Sequence, residues 1–269
     1  MEVGASLPLI TKLEVFIQAA SIALARMGGL FIVMPVFLRA GLTGILRAGV
    51  AIAFALPIIP FIADSFPFAE ITGPLRYAIL FKEFMVGVIL GFVIAIPFWA
   101  AEAAGEILDL QRGLNFADIA DPSSTENNNI TGSLFALIAV ALYFASGGLN
   151  LTMNVVYGSY QIWPIAEFLP LFSQQAGLLF LTMLDDILAM GLMLILPMSM
   201  ALLLSDLCLA LVARAAPHMN IFILSLAVKN LVFALLIALY SVFLIGYMRD
   251  DLVWIITAPN KLEQISSPR

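Results

Sequence analysis

Glu102, Glu106 and Asp109 stand at i, i+4 and i+7 in the run Ala101-Glu102-Ala103-Ala104-Gly105-Glu106-Ile107-Leu108-Asp109-Leu110-Gln111-Arg112-Gly113. On a helix the three carboxylates share one face. Arg112 follows Asp109 by three residues and can pair with it, and Gly113 is placed to end the helix. Paired carboxylates can serve as general acid and base, but such chemistry needs further parts. No nucleophile, metal-ligand set or Gly-rich phosphate loop accompanies these residues, and H-E-x-x-H, G-x-S-x-G and the P-loop are absent. No catalytic residue is expected. Spacing alone leaves two readings of the acidic face, a solvated helix end or a polar functional surface.

Other charges sit where apolar sequence surrounds them: Arg26, Arg47, Lys82, Glu83, Asp206, Arg214 and Lys229. A charge inside an apolar helix costs at least ~2.5 kcal/mol on insertion scales, so it faces protein or water. Snorkelling at a helix end suits Arg39, Arg47, Arg214 and Arg249 and is open to Lys82. It does not suit Arg26 or Lys229, whose apolar flanks extend well beyond them on both sides. For these two, buried partners are expected. Gly87 and Gly91, one turn beyond Lys82-Glu83, form G-x-x-x-G and open one helix face to close approach by another helix.

The elements that must hold these residues follow from composition. Of 269 residues, 62% are hydrophobic and 11% charged, against roughly 45–50% and about 25% in soluble domains. Residues 84–101, 187–205 and 230–248 carry no charge, nor does the more polar stretch 130–166. About 20 helical residues cross a ~30 Å hydrocarbon layer. The expected fold is therefore an all-α integral membrane protein built as a single domain over 1–269. Expected helices cover 15–38, 77–101, 174–214 and 221–248, the last capped by Asn220, with a short polar tail after Arg249. Pro57 and Pro60 break the segment 48–63, and Gly147-Gly148 marks a turn.

The formal net charge of −6 argues against nucleic acid as a partner, which needs clustered Lys and Arg. The single Cys208 and single His218 remove disulfides and most zinc and haem arrangements, so neither metal nor other cofactor is expected. Ala23-Leu24-Ala25 resembles a signal-peptide cleavage site, but Glu2 and Glu14 replace a basic n-region and the apolar run resumes after Arg26; the first helix is expected to stay. With six spans, Arg39, Arg47, Arg112 and Arg214 fall on one side and Lys12, Arg76, Arg249, Lys261 and Arg269 on the other. That near tie is unlike an ordinary positive-inside topology.

Three stretches together resemble the FliR/SctT family, the single-copy subunit of the type III secretion export gate. They are Lys82-Glu83 with Gly87 and Gly91; the run 104–113 continuing through Phe116-Ala117 to Asp121-Pro122; and Ala213-Arg214-Ala215-Ala216-Pro217-His218-Met219-Asn220-Ile221-Phe222 with Lys229 downstream. Gln111-Arg112-Gly113 looks like the injectisome branch rather than the flagellar one. The family's Pro-Gln-Leu-Asn is Pro217-His218-Met219-Asn220 here, and its Pro before the later Lys is Ala227.

The resemblance implies long broken helices and hairpins in a pore-forming hetero-oligomer of the bacterial inner membrane, part of it raised above the bilayer towards the periplasm. Its partners would be a five-copy and a four-copy membrane subunit, a larger export-gate protein, and transient unfolded secreted proteins. It also implies a pore plug in the loop after Gly113, placing that role on Arg112, Gly113, Leu114, Asn115 and Phe116. Arg26, Lys82, Glu83, Arg214 and Lys229 would then face neighbouring subunits or the pore. The competing reading is an ion-coupled small-molecule transporter with Glu102, Glu106 and Asp185-Asp186 as a proton relay, although the internal repeats common in transporters are absent.

Overall fold

The computed structural model describes residues 3–66, 73–114, 129–167, 176–216, 218 and 220–266. Among the described residues the chain is helical, without strands. The helices are α1 (Val3–Val33), α2 (Pro35–Arg39), α3 (Gly44–Ala55), α4 (Ile59–Ser65), α5 (Pro74–Arg112), α6 (Ile130–Ala145), α7 (Gly148–Ile162), α8 (Ala176–Ala215), α9 (Ile221–Asp251) and α10 (Trp254–Ser266). Five stretches are long and apolar enough to cross a membrane: Thr11–Val33, Gly44–Ser65, Pro74–Arg112, Gly177–Ala215 and Ile221–Ser266. Ile130–Ala145 with Gly148–Ile162 makes a sixth if the pair counts as one span.

Prolines and glycines set the breaks. The first helix starts earlier than its apolar pattern suggested and stops at Val33, because Pro35 forces Met34 out of the helical region, to φ −71° and ψ 116°. Pro57 sits in a 3₁₀ turn, Leu56–Ile58, that joins α3 to α4. Gly147 takes φ +74° between α6 and α7, a conformation that an L side chain resists. Asn220 caps α9, its Oδ1 accepting from the backbone N–H of Ile223 at 3.5 Å.

The chain forms two compact units that interleave in sequence. The first holds Met1–Ala95, Gly147–Met183 and Trp254–Arg269; the second holds Ile96–Ser146 and Leu184–Val253. In the first, α1 packs on α3 and α4, and α10 packs on α7. The buried positions of α1, Ala19, Ala23, Met27, Leu30 and Phe31, recur every three to four residues and so make one stripe. Phe31 stacks on Phe37 with centroids 4.0 Å apart. In the second unit α6 packs on α9, and the rings of Phe98 and Tyr143 meet edge to face at 5.5 Å.

The C-terminal residues are not a polar tail. Ile255, Ala258, Leu262 and Ile265 are buried along one side of α10, while Thr257, Asn260, Glu263 and Gln264 are exposed. By contrast α8 and α9 leave rows of leucines uncovered, among them Leu188, Leu192, Leu196, Leu203, Leu207 and Leu211 on α8. An uncovered apolar face of that length needs lipid or another chain against it.

Candidate functional site

Helix α5 carries a charge cluster in each unit. In the first unit the cluster depends on glycine. A Cβ on Gly87 would collide with the carbonyl oxygen of Arg26, and one on Gly91 would lie 2.8 Å from that of Leu30. Gly29 on α1 is matched the same way, a Cβ there colliding with Phe84 O. Three small residues thus bring the α1 and α5 backbones together. The approach sets Arg26, fully buried, beside Glu83, also fully buried, with Nε donating to Oε2 at 2.6 Å.

Arg26 uses its remaining donors on α7 and the residues after it. Nη1 donates to Ser159 Oγ at 2.9 Å and Nη2 to Trp163 O at 3.0 Å, and the guanidinium lies 3.7 Å from the Tyr160 ring centroid. Lys82 Nζ lies 2.8 Å from Glu83 Oε1 and donates to the carbonyls of Pro164, Ile165 and Glu167 at 2.9, 3.2 and 3.2 Å. Two buried cations therefore face one carboxylate and four carbonyls just past the C-terminus of α7. That end of a helix is the negative pole of its dipole and the place where carbonyls lack intrahelical donors. Arg26, Lys82 and Glu83, three of the charges set in apolar sequence, are matched within the chain.

In the second unit α5 and α6 meet backbone to backbone. A Cβ on Gly105 would lie 2.5 Å from Gly132 N, and one on Gly132 would lie 3.0 Å from Glu102 O. One turn beyond Gly105, Asp109 reaches the first turn of α6, where its Oδ2 accepts from Thr131 N–H at 2.8 Å. Asn129, the residue at the cap position of α6, makes no side-chain cap of its own. Its Nδ2 donates to Glu106 Oε1 at 2.7 Å instead. Carboxylates of α5 thus anchor the N-terminus of α6, a position that favours negative charge.

Arg112 closes the cluster. Nη2 donates to Asp109 Oδ1 and to Thr131 Oγ1, Nη1 donates to Asn230 Oδ1 at 3.4 Å, and the guanidinium lies 3.6 Å from the Phe233 ring centroid. Gln111 Nε2 donates to Ser199 Oγ at 2.6 Å. Lys229, held by Asp206 at 2.6 Å, donates to Gln111 O at 3.0 Å and so caps a terminal carbonyl of α5. Gly113, at φ +78°, then ends the helix. Leu114 N–H bonds to Asp109 O at 3.1 Å and Gly113 N–H to Leu110 O at 3.0 Å, the double bond pattern of a Schellman motif.

The chain therefore leaves α5 at Leu114 and returns at Asn129 with both ends tied to one turn of one helix. Asn115 and Phe116 lie outside the described residues. Glu102 is half-buried one turn before Glu106, Arg214 is exposed at the end of α8, and Lys229 is half-buried. Asp185 is exposed and Asp186 half-buried on α8. Among the described residues no group of three or more His, Cys, Asp or Glu could hold a metal ion. Both oxygens of Asp109 and Oε1 of Glu106 are engaged by Arg112 and the start of α6. Sequence reasoning did not single out Thr131, Asn129, Ser159 or Trp163. Only Asn129, a polar residue directly before an apolar run, carried a signal, that of a helix start.

Residues 17–253 match the family described as bacterial export proteins, family 1. The chain is 31% identical to the Yop proteins translocation protein T of Yersinia pestis over 84% of this chain and 87% of that protein. It is 31% identical to the surface presentation of antigens protein SpaR of Salmonella typhimurium, covering 83% of each. The flagellar biosynthetic protein FliR of Bacillus subtilis is 28% identical, over 82% of this chain and 85% of that protein.

Proposed function

The chain belongs to the bacterial export proteins, family 1, a family of type III export-apparatus components, and we propose that within that apparatus it is the gate-forming subunit of the pore for unfolded proteins. The observation that carries this reading is the clamp at residues 105–114 and 129–132. Asp109, Arg112 and Thr131 fix both ends of the intervening segment, and the Gly113 turn sets its exit. A segment fixed at its base can close a pore and still be displaced, which a gate for unfolded chains requires. Leu114 and Phe116 supply an apolar seal, and Gly113 the hinge. The chain acts here as one export-gate domain and without catalysis.

The companions in this reading are a five-copy and a four-copy membrane subunit and a larger export-gate protein. The uncovered apolar faces of α8 and α9 are the surfaces available to them. The protein sits in the bacterial inner membrane. Helices α5 and α8, of 39 and 40 residues, are about 60 Å long, roughly twice the hydrocarbon thickness. That length supports a location partly raised towards the periplasm. The match to the translocation and surface-presentation proteins supports the injectisome branch.

Co-expression with the two small companion subunits is expected to yield one stable complex holding a single copy of this chain. Recovery of the chain alone, competent for solute uptake in liposomes, would instead support a transporter and contradict the gate.

A further inference from the structure

The interior of helix α5 contains one proline, Pro97. Proline has no N–H, so the carbonyl four residues earlier, that of Val93, receives no helical hydrogen bond from it. Val93 is fully buried, and a buried carbonyl in a membrane protein must find another donor. The donor comes from far along the chain. The indole Nε1 of Trp254 donates to Val93 O at 2.8 Å, and this bond is buried. A buried indole N–H needs an acceptor as much as the orphaned carbonyl needs a donor, and one bond meets both needs.

Trp254 is the first residue of α10, which Ile255, Ala258, Leu262 and Ile265 hold down by burial. Lys261 Nζ lies 4.9 Å from the centroid of the same indole. We propose that Trp254 is a positioning residue: it replaces the hydrogen bond that Pro97 withholds, and through it the C-terminal helix fixes the backbone of α5 around residues 93–97. The helix so held is the one that carries Lys82, Glu83, Asp109 and Arg112. This assignment rests on the gate reading only for the complex in which it is tested, and its readout is backbone protection, not ion flow.

The test is a double-mutant cycle in the co-expressed complex: wild type, W254F, P97A and W254F/P97A, read by amide exchange at residues 94–101. W254F keeps an aromatic ring and removes only the donor, and is expected to speed exchange on the order of ten-fold. P97A restores a helical N–H to Val93 O, so W254F in that background should change exchange less than about two-fold. An equal W254F effect in both backgrounds would mean that Trp254 acts by packing alone and would overturn the proposal. Should W254F complex fail to accumulate, its recovery in W254F/P97A supports the proposal and continued loss overturns it. Independently, ultraviolet Raman spectra of the W99F/W163F chain should show the indole band of a strongly hydrogen-bonded Trp254. A band of free indole would contradict the bond.

Discussion

The Glu83→Ala chain is expected to lose about 3–5 kcal/mol of folding stability, the cost of leaving buried charge without its counter-ion. Domains hold only about 5–15 kcal/mol in total, so most of the chain should disappear from the assembled complex. The effect is large because Glu83 faces two cations at once, Arg26 at 2.6 Å and Lys82 at 2.8 Å, with all three side chains buried. Without it the two cations retain only carbonyl dipoles, the Ser159 hydroxyl and the Tyr160 ring. Glu83→Gln keeps a hydrogen-bond acceptor for Arg26 and should cost less than the alanine. Apolar replacement of a buried ion pair is often harmless, but here it would strip donors from the carbonyls of Trp163, Pro164, Ile165 and Glu167. A chain with Arg26→Leu, Lys82→Met and Glu83→Leu is therefore expected to be no more stable than Glu83→Gln. Thermal unfolding of the detergent-solubilised complex reads the order. A loss under about 1 kcal/mol for Glu83→Ala, the scale of an exposed pair, would show that the cluster is not buried as described.

The second large effect is expected at Asp109. Asp109→Ala removes the acceptor for Thr131 N–H at the start of α6 and the counter-ion of Arg112 together. A lost cap costs about 1 kcal/mol, and an uncompensated buried charge several more. Together these come to about 3 kcal/mol or more by those figures, with one cation stranded rather than two. Adding Arg112→Met removes that cation and should recover part of the loss, while the missing cap stays missing. Because the same groups anchor both ends of the 115–128 segment, Asp109→Ala complexes that do assemble are expected to leak ions. Asp109→Ala unfolding within about 0.5 kcal/mol of wild type, as for an ordinary surface change, with an ion-tight pore, would contradict the clamp.

The sequence made some of this legible for reasons that can be stated. A charge in an apolar helix is conspicuous, so Arg26, Lys82, Glu83 and Lys229 stood out before any fold was in hand. Gly87 and Gly91 announced a close approach, and Gly113 a helix end, because glycine at those spacings has few other uses. Their partners were hidden. Lys82 is held mostly by backbone carbonyls, and every residue carries a carbonyl, so side-chain identity gives no sign of it. The same applies to Val93 O, the acceptor of the Trp254 indole. Helix α10 was missed because polar and apolar residues nearly cancel in its average, which hides the apolar stripe at 255, 258, 262 and 265. The three charges of the first cluster were expected to meet neighbouring subunits or the pore. Within this chain they meet one another and the carbonyls just past α7, while α8 and α9 leave apolar faces uncovered.

The central claim is that the segment leaving α5 at Gly113 closes the export pore. Conductance of the assembled complex in planar bilayers tests it most directly. Wild-type complexes should be closed to ions, and complexes lacking Leu114–Phe116, with Asp109, Arg112 and Thr131 unchanged, should conduct. Unchanged, ion-tight behaviour of the deletion complex at full assembly would contradict the account.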